Sequence, residues 1–218
     1  MGPFASLNLG THVGDELDAV EENRRRLRHT LMLPDEPQWL SQVHGTAVAT
    51  LERPMPGAPL RADAAVTRSP ARVCAILVAD CLPVLFASRD GAAIGAAHAG
   101  WRGLAAGVLE ETVRAMRTEV SQLTAWLGPS IGVAHFEVGG EVRDAFVARD
   151  AGAAAAFTAN PRGRWQCDLP ALARRRLMAL GVHSIHGEPP CTYADPRRFF
   201  SYRRDGQCGR MAALIWMV

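Results

Sequence analysis

Three short apolar runs follow one another in the middle of the chain, and this succession constrains the fold more than any other feature of the sequence. Residues 73–79 form the first run, residues 84–88 the second and residues 92–98 the third. Short apolar runs that contain β-branched residues predict buried strands. Because these strands follow one another directly while helical segments lie elsewhere, they favour an α+β fold with mixed sheets over a regularly alternating α/β sheet.

The remaining elements are predicted from hydrophobic periodicity and from the charges at helix ends. Helices are expected over residues 15–31, 100–117, 140–149 and 169–180, and strands over residues 123–127 and 210–218. The first helix begins with acidic residues and ends with arginines, which suits the helix dipole. The last strand is strongly apolar, which predicts burial of both its faces. A chain of 218 residues is expected to form a single domain over positions 1–218.

The basic residues restrict the possible functions. All 24 are arginine, and the chain contains no lysine. This absence excludes enzymes that form a Schiff base, enzymes that use pyridoxal phosphate, protein kinases and proteins with a Walker A loop, because each of these needs a lysine. The formal net charge is only +2. A protein that binds nucleic acid or a membrane surface by electrostatics is therefore not expected.

The cysteines indicate the redox environment. The five cysteines are scattered, and no C-x-x-C pair is present that would indicate a local zinc ribbon. An odd, scattered set in a sequence without a recognisable signal peptide predicts reduced thiols in a cytoplasmic protein. No stretch approaches the ~18 apolar residues that a membrane-spanning helix needs.

Three polar residues stand at the ends of apolar, strand-like runs, where a rigid scaffold would hold their side chains. His44 follows residues 39–43, Cys81 follows the first central run, and His98 ends the third. Two imidazoles and a thiolate can hold Zn²⁺ and leave a fourth position open for water or substrate. The same set can instead form a cysteine nucleophile with a histidine base. Spacing alone leaves both chemistries open.

A second candidate site lies in the segment HAGWRGL at residues 98–104. The two glycines allow close backbone approach, and Arg102 offers a guanidinium that can hold an anion through two hydrogen bonds. The segment lies at the predicted start of a helix, where free backbone N–H groups favour negative charge. We therefore expect Arg102 to bind a phosphate or carboxylate. The alternative is an ordinary surface salt bridge.

A third cluster, CTYADPRRFFSYRRDGQCGR at residues 191–210, combines arginines with aromatic residues. Aromatic side chains that stack on a base, beside arginines that hold phosphate or sugar, describe a nucleoside pocket. The alternative is a loop of exposed arginines over a partly buried phenylalanine pair. Nucleic-acid binding is not expected, because the total charge is balanced and no second basic stretch contains aromatics.

Several phrases of the sequence, in this order, resemble one known family. They are SLNLG at residues 6–10, HVGD at 12–15, QVHG at 42–45, ADCLPVLF at 79–86, AHAGWRG at 97–103, GPSIG at 128–132, FEVG at 136–139, CTY at 191–193, FSYRR at 200–204 and GRM at 209–211. Over about residues 4–217 the chain is similar to the YfiH-type family, a polyphenol oxidase or laccase-domain family also described as purine nucleoside phosphorylases.

The resemblance carries expectations about fold, metal and activity. It implies an α+β fold with two mixed β-sheets packed together and flanked by helices. It also implies one zinc ion held by His44, Cys81 and His98. The implied activities are phosphorolysis of adenosine, inosine, guanosine and methylthioadenosine, together with deamination of adenosine. The implied partners are therefore a purine nucleoside and phosphate, and the sequence leaves the oligomeric state open.

Roles for further residues follow from this chemistry. Phosphorolysis needs an anion site, for which we predict Arg102 and Arg203, with Asn8 on phosphate or ribose. Asp80 is the proton-transfer group nearest in sequence to the predicted zinc ligands. Three alternatives stay open: a copper-dependent phenol oxidase, since a His/His/Cys site can take Cu²⁺, a metal-free hydrolase with Cys81 and His98 as its dyad, and a non-enzymatic protein with structural zinc.

Overall fold

Eleven strands and six α-helices are found in the computed structural model, which describes residues 2–53 and 57–217. The strands are β1 (Val48–Thr50), β2 (Ala64–Thr67), β3 (Val73–Val78), β4 (Leu82–Ser88), β5 (Ile94–Ala99), β6 (Leu123–Leu127), β7 (Glu137–Val138), β8 (Phe157–Ala159), β9 (Trp165–Cys167), β10 (Ser184–His186) and β11 (Met211–Trp216). The helices are α1 (Leu17–Thr30), α2 (Trp101–Ala106), α3 (Val108–Met116), α4 (Gly140–Val147), α5 (Leu169–Leu180) and α6 (Tyr202–Asp205), with 3-10 turns at Val120–Gln122 and Ala151–Ala156.

The strands form one large mixed sheet and two smaller ones. The large sheet has the order β1-β2-β5-β4-β6-β10, with parallel pairing at its two edges and antiparallel pairing between. Strand β11 pairs with β3, and β7, β9 and β8 form a third sheet, both antiparallel. The α+β class is confirmed. The expectation of two mixed sheets is corrected: the described residues form three sheets, and only the largest is mixed.

The three central apolar runs fold into β3, β4 and β5, but they do not all share a sheet. Strands β4 and β5 are antiparallel neighbours, whereas β3 leaves the large sheet and pairs with β11. The change of direction occurs at Asp80, whose φ of 88° lies in the left-handed region that few residues other than glycine adopt. The turn between β3 and β4 is therefore a constrained position in the backbone.

The large sheet is buried on both faces, which makes its central strands rigid supports. One face packs against α2, α3 and α5 through side chains such as Phe86, Leu104 and Leu177. The other face packs against the β3–β11 sheet, where Ile76 contacts the cluster that includes Ile94. Every residue of β5 is buried. A strand in this position carries its terminal side chains on a scaffold that cannot shift without disturbing both layers.

The long helix predicted over residues 100–117 is in fact two helices. Gly107 ends α2 with a φ of 110°, and α3 begins at the next residue. Helix α2 is therefore only six residues long. The dipole of so short a helix does not by itself support the anion site that was predicted at its start. Of the helices in the described residues, none is long and apolar enough to span a membrane.

Two further predictions need correction. Residues 39–43 are not a strand: Gln38 and Leu40 form only isolated bridges, and the Gln42 amide donates to and accepts from the backbone of Leu77 at 2.8 Å. The last strand is half-buried along its whole length rather than buried on both faces. The predicted end of that strand at residue 218 lies outside the described residues.

Candidate metal centre and substrate pocket

The side chains of His44, Cys81 and His98 meet at one edge of the large sheet. Their nitrogen and sulfur donor atoms all lie within 4.8 Å of one another. The Cys81 Sγ is 3.8 Å from His44 Nε2, and the two imidazole rings meet edge to face with centroids 4.8 Å apart. His98 is buried, Cys81 is half-buried and His44 is exposed. The cluster therefore opens on one side to solvent.

Strand register brings two of these residues together. Cys81 directly precedes β4, and His98 is the penultimate residue of β5. In this antiparallel pair Leu82 lies opposite Ala99 and Pro83 lies opposite His98, so the start of one strand adjoins the end of the other. His44 comes from the turn that follows Gln42, which is anchored on β3.

Gly100 leaves the space in which these side chains meet. A Cβ atom at this position would lie 2.9 Å from Cys81 Sγ and 3.0 Å from His44 Cδ2. Both distances are shorter than ordinary van der Waals contact. Any larger residue would push the donor atoms apart, so glycine at this position is required by the side-chain cluster and not by a turn.

The buried carboxylate of Asp63 holds two parts of the cluster. Its Oδ1 lies 2.9 Å from His98 Nδ1, and its two oxygens accept the backbone N–H groups of Val43, His44 and Gly45 at 2.7–3.1 Å. Burial would raise the pKa of Asp63, but these hydrogen bonds outweigh it and lower the pKa. Sequence reasoning missed Asp63; the available signal was an acidic residue among the small apolar residues that begin β2.

The electrostatics of the cluster favour a thiolate. Burial alone would raise the pKa of the Cys81 thiol, but the neighbouring His98 and His44 outweigh this effect and lower the pKa to about 6. Burial likewise would lower the pKa of His98, but Cys81 and Asp63 raise it to about 9. Without a metal ion, the pair therefore favours a Cys81 thiolate beside a protonated His98 imidazole. The thiolate is the form of cysteine that binds metal ions.

The cluster forms part of the wall of a pocket of about 550 Å³. Its apolar lining includes Leu40, Leu77, Trp101, Ile131, Phe136 and Leu169. Its basic lining consists of His12, Arg102, Arg203 and Arg210, and Asp80 is the one carboxylate among the described lining residues. A pocket of this size suits a ligand of a few rings, and the excess of arginine favours an anion.

The two arginines predicted to bind an anion both line the pocket. Arg102 is exposed, its guanidinium lies 4.5 Å from the centre of the Trp101 ring, and no ion pair to it is found in the part of the chain that the structure describes. Arg203 lies over Phe136 at 5.3 Å and donates from Nη1 to the Glu137 carbonyl at 2.8 Å. Both guanidinium groups keep donors free for a ligand.

Asp80 lies in the pocket wall, but its carboxylate is occupied. The Oδ1 accepts the hydroxyl of Thr192 at 2.6 Å, and the Oδ2 accepts the backbone N–H of Arg203 at 2.7 Å. The residue is 8% exposed. This geometry favours a role in positioning Arg203 over the proton transfer that the sequence suggested.

Asn8 is not brought into the pocket. It is fully buried, its Oδ1 accepts the backbone N–H groups of Gly10 and Arg210, and its Nδ2 donates to Gly10 and Asp15. Every donor and acceptor of the side chain is engaged. The expected contact of Asn8 with phosphate or ribose therefore has no support in this geometry; Asn8 instead holds the backbone at Arg210.

Two basic pocket residues were missed by sequence reasoning. Arg210 lies over Tyr202 at 5.7 Å and donates to the carbonyls of Cys208 and Gly209. His12 lines the same wall, and burial, with help from Arg210 and Arg24, lowers its pKa. Arg210 lies in the GRM phrase that carried the family resemblance, which was the signal available for it.

The sequence match places this chain in a laccase-domain family. Residues 1–218 match the family described as multi-copper polyphenol oxidoreductase laccase, and the chain belongs to that family. Purine nucleoside phosphorylase YfiH of Escherichia coli K12 is 53% identical over 216 residues, which cover 99% of this chain and 88% of that protein. A purine nucleoside phosphorylase of Pseudomonas aeruginosa is 54% identical over 217 residues, covering 99% and 87%.

Solved structures share this fold. Protein NMB0706 of Neisseria meningitidis superposes with a TM-score of 0.94 at 46% identity, covering 100% of this chain and 88% of that one. The YlmD protein of Geobacillus stearothermophilus superposes with a TM-score of 0.88 at 31% identity, covering 100% and 87%.

Proposed function

We propose that this protein is a zinc-dependent purine nucleoside phosphorylase that acts on adenosine, inosine, guanosine and methylthioadenosine. The observation that carries the proposal is the placement of a His/Cys/His cluster in the wall of an arginine-rich pocket. The arginines can bind phosphate, and the apolar and aromatic walls can pack against a purine. The names of the Escherichia coli and Pseudomonas aeruginosa relatives support the same activity.

The donor set fits zinc. His44, Cys81 and His98 would hold the ion, because two imidazoles and a thiolate are common zinc ligands and their donor atoms lie within 4.8 Å of one another. The space that Gly100 leaves beside Sγ is consistent with three converging ligands. When bound there, zinc supplies a Lewis acid at the pocket wall.

Arg102 and Arg203 are the proposed phosphate ligands. Arg102 keeps its guanidinium in the pocket by stacking on Trp101, and Asp80 fixes the backbone of Arg203. Arginine binds phosphate oxygens through paired hydrogen bonds that are stronger than those between neutral groups. Two such side chains from separate elements hold the phosphate and reduce its freedom to rotate, which favours one direction of attack.

In phosphorolysis, a phosphate oxygen forms a bond to ribose C1′ while the bond from C1′ to purine N9 breaks. The bonding electron pair leaves with the purine, which takes up a proton. The arginines would bind the phosphate, and the pocket's aromatic side chains, Trp101, Phe136 and Tyr202, offer flat surfaces to the base. The products are the free purine and ribose 1-phosphate, or 5-methylthioribose 1-phosphate when methylthioadenosine is the substrate.

Adenosine deamination is a second proposed activity of the same pocket. It is favoured by the opening of the cluster to the pocket on the side of the exposed His44, because hydrolytic zinc sites keep one position accessible to water. The two activities separate by product, since phosphorolysis of adenosine releases adenine and deamination produces inosine.

The alternatives receive less support. Multi-copper oxidation would need more ligand groups, and within the described residues His44, Cys81 and His98 are the one cluster of metal-type ligands. A structural zinc site would be closed by protein ligands, whereas this cluster borders a pocket. A cysteine hydrolase would need one histidine, and the second histidine at this site would then have no part in the chemistry.

The test combines metal analysis with product analysis. Protein purified without added metal is assayed with adenosine, inosine and guanosine, with and without phosphate, and its metal content is measured by elemental analysis. We expect about one zinc per chain and purine release that depends on phosphate. Cys81→Ala is expected to lose both the zinc and the activity. Full zinc retention in that variant, or purine release that does not depend on phosphate, would contradict the proposal.

A further inference from the structure

We infer that Asp63 is a positioning residue that assembles the metal centre before a metal ion binds. It touches both histidine ligands, one through the imidazole and one through the backbone. The inference rests on the metal-dependent function proposed above and names the residue on which that centre depends.

The Asp63 carboxylate has no acceptor capacity left for a ligand. Its Oδ1 accepts His44 N–H at 2.8 Å and pairs with His98 Nδ1 at 2.9 Å. Its Oδ2 accepts Val43 N–H at 3.1 Å and Gly45 N–H at 2.7 Å. A carboxylate has about four lone-pair sites, and the residue is 0% exposed. Asp63 therefore cannot itself hold the metal or take a proton from substrate, and its effect must pass through its partners.

The first effect is on His98. A carboxylate accepts hydrogen bonds and does not donate them, so the Nδ1 that faces Asp63 must carry hydrogen. In the neutral ring the lone pair then lies on Nε2, which is the nitrogen left to bind metal. A carboxylate behind a ligating histidine fixes the tautomer and the ring orientation and strengthens the ligand. His98 is thus held with Nε2 facing the site, and it binds zinc there once that nitrogen has lost its proton.

The second effect is on His44. Its φ of 61° lies in the left-handed region, which residues other than glycine adopt only when the surroundings impose it. Three successive backbone N–H groups, of Val43, His44 and Gly45, converge on the one carboxylate. The charged acceptor compensates for the unfavourable backbone and directs the exposed His44 side chain toward Cys81.

Asp63 is itself held firmly. It directly precedes β2, in which Ala64 lies opposite Ala97 of β5, and its carbonyl accepts the His98 N–H at 2.7 Å. The carboxylate therefore occupies a fixed position in a sheet that is buried on both faces. Because Asp63 is held in this way, it can fix the separation of His44 and His98, which a mobile group could not do.

The main experiment measures zinc affinity in Asp63→Asn by competition with a chromogenic chelator. The NH2 group of the asparagine would face N–H groups that are themselves donors. At least one hydrogen bond, to the His98 imidazole or to the His44 backbone, is therefore lost. We expect zinc to bind about 10–100-fold more weakly, the usual effect of losing such a partner. The control is Asp90→Asn, which removes a carboxylate that accepts two hydrogen bonds at the opposite end of β4 and β5, and it should bind zinc as the wild type does.

Two further readouts separate positioning from general stability. The unfolding of the metal-free variants by urea reports on the fold alone, and the Co²⁺-loaded proteins report on ligand geometry through their absorption spectra. We expect the Asp63→Asn protein, once folded, to show an altered Co²⁺ spectrum while Asp90→Asn does not. Unchanged zinc affinity and an unchanged spectrum in folded Asp63→Asn would overturn the inference.

A measurement on the wild type covers the case in which Asp63→Asn does not fold. In the zinc-loaded protein, nitrogen NMR should find hydrogen on His98 Nδ1 and metal on Nε2; the reverse assignment would overturn the inference. Wild-type protein that binds zinc but releases no purine would contradict the proposed function and leave this inference standing. Wild-type protein that takes up no zinc would overturn both.

Discussion

The Oδ2 of Asp80 accepts the backbone N–H of Arg203 at 2.7 Å, across 123 positions of sequence. Asp80 directly precedes Cys81, and its other oxygen accepts the hydroxyl of Thr192 at 2.6 Å. One carboxylate therefore connects a proposed metal ligand to the segment that carries a pocket arginine. The proposed metal centre and the proposed phosphate site are held at a fixed separation by this contact.

Asp80→Asn is expected to weaken phosphate use and to leave zinc in place. The variant loses a charged acceptor, and hydrogen bonds to charged groups are worth ~1.5–3 kcal/mol, so kcat/KM for phosphate should fall roughly tenfold or more. Steady-state kinetics with phosphate varied, repeated across pH, make the measurement. Loss of one limb of the pH profile with an unchanged KM for phosphate would instead assign proton transfer to Asp80.

Arg102→Ala should raise the KM for phosphate about tenfold or more, because it removes a guanidinium that makes charge-assisted hydrogen bonds. The free energy of unfolding should change by less than ~0.5 kcal/mol, as for other surface substitutions. Arg89→Ala, an exposed arginine in the turn after β4, is the matched control and should alter neither quantity. A large loss of stability with unchanged kinetics would show that Arg102 serves the fold.

Cys81 should be the most reactive thiol of the metal-free protein. Its pKa is lowered to about 6, whereas burial raises the pKa of Cys74 and of Cys167 to about 12. Because the thiolate is the reactive form, alkylation by iodoacetamide should increase as the pH rises through about 6 and level off near neutrality. Peptide mass analysis identifies the modified residue.

Zinc should protect Cys81 in the same experiment, since a coordinated thiolate is paired with a cation. Metal-loaded protein should therefore be alkylated slowly and lose activity when a chelator is added. Rapid alkylation of the loaded protein, with activity that a chelator does not affect, would assign the site to a cysteine nucleophile.

Gly100→Ala should impair metal binding more than folding. The new Cβ would lie 2.9 Å from Cys81 Sγ, and overpacking of this kind costs ~1–3 kcal/mol. Because the contact is with the donor atoms, we expect zinc affinity to fall by about tenfold or more. Gly140→Ala is the control, since nothing lies within 4 Å of the Cβ it would add, and it should bind zinc normally. Equal zinc affinity in the two variants would show that the cluster tolerates the methyl group.

Local signals predicted the elements whose ends are set by nearby residues. The helix expected over residues 169–180 is found with those bounds, because Asp168 accepts the N–H of Ala171 at its start and Gly181 adopts a φ of 92° at its end. Strand β6 likewise matches its prediction. Gly107 shows the limit of this reasoning: periodicity continued across it, but its left-handed conformation divides the helix.

The sequence by itself determined the chemistry that was available: two histidines and a cysteine at the ends of apolar runs, and arginine as the source of every basic charge except that of histidine. Only the tertiary structure decided which side chains meet and which are occupied. The register of β4 with β5 brings Cys81 to His98, and Asp63, Asp80 and Asn8 find partners up to 35, 123 and 202 positions away. Such contacts depend on the path of the whole chain, because a hydrogen bond acts over about 3 Å whatever the separation in sequence, and no local pattern of residues specifies them.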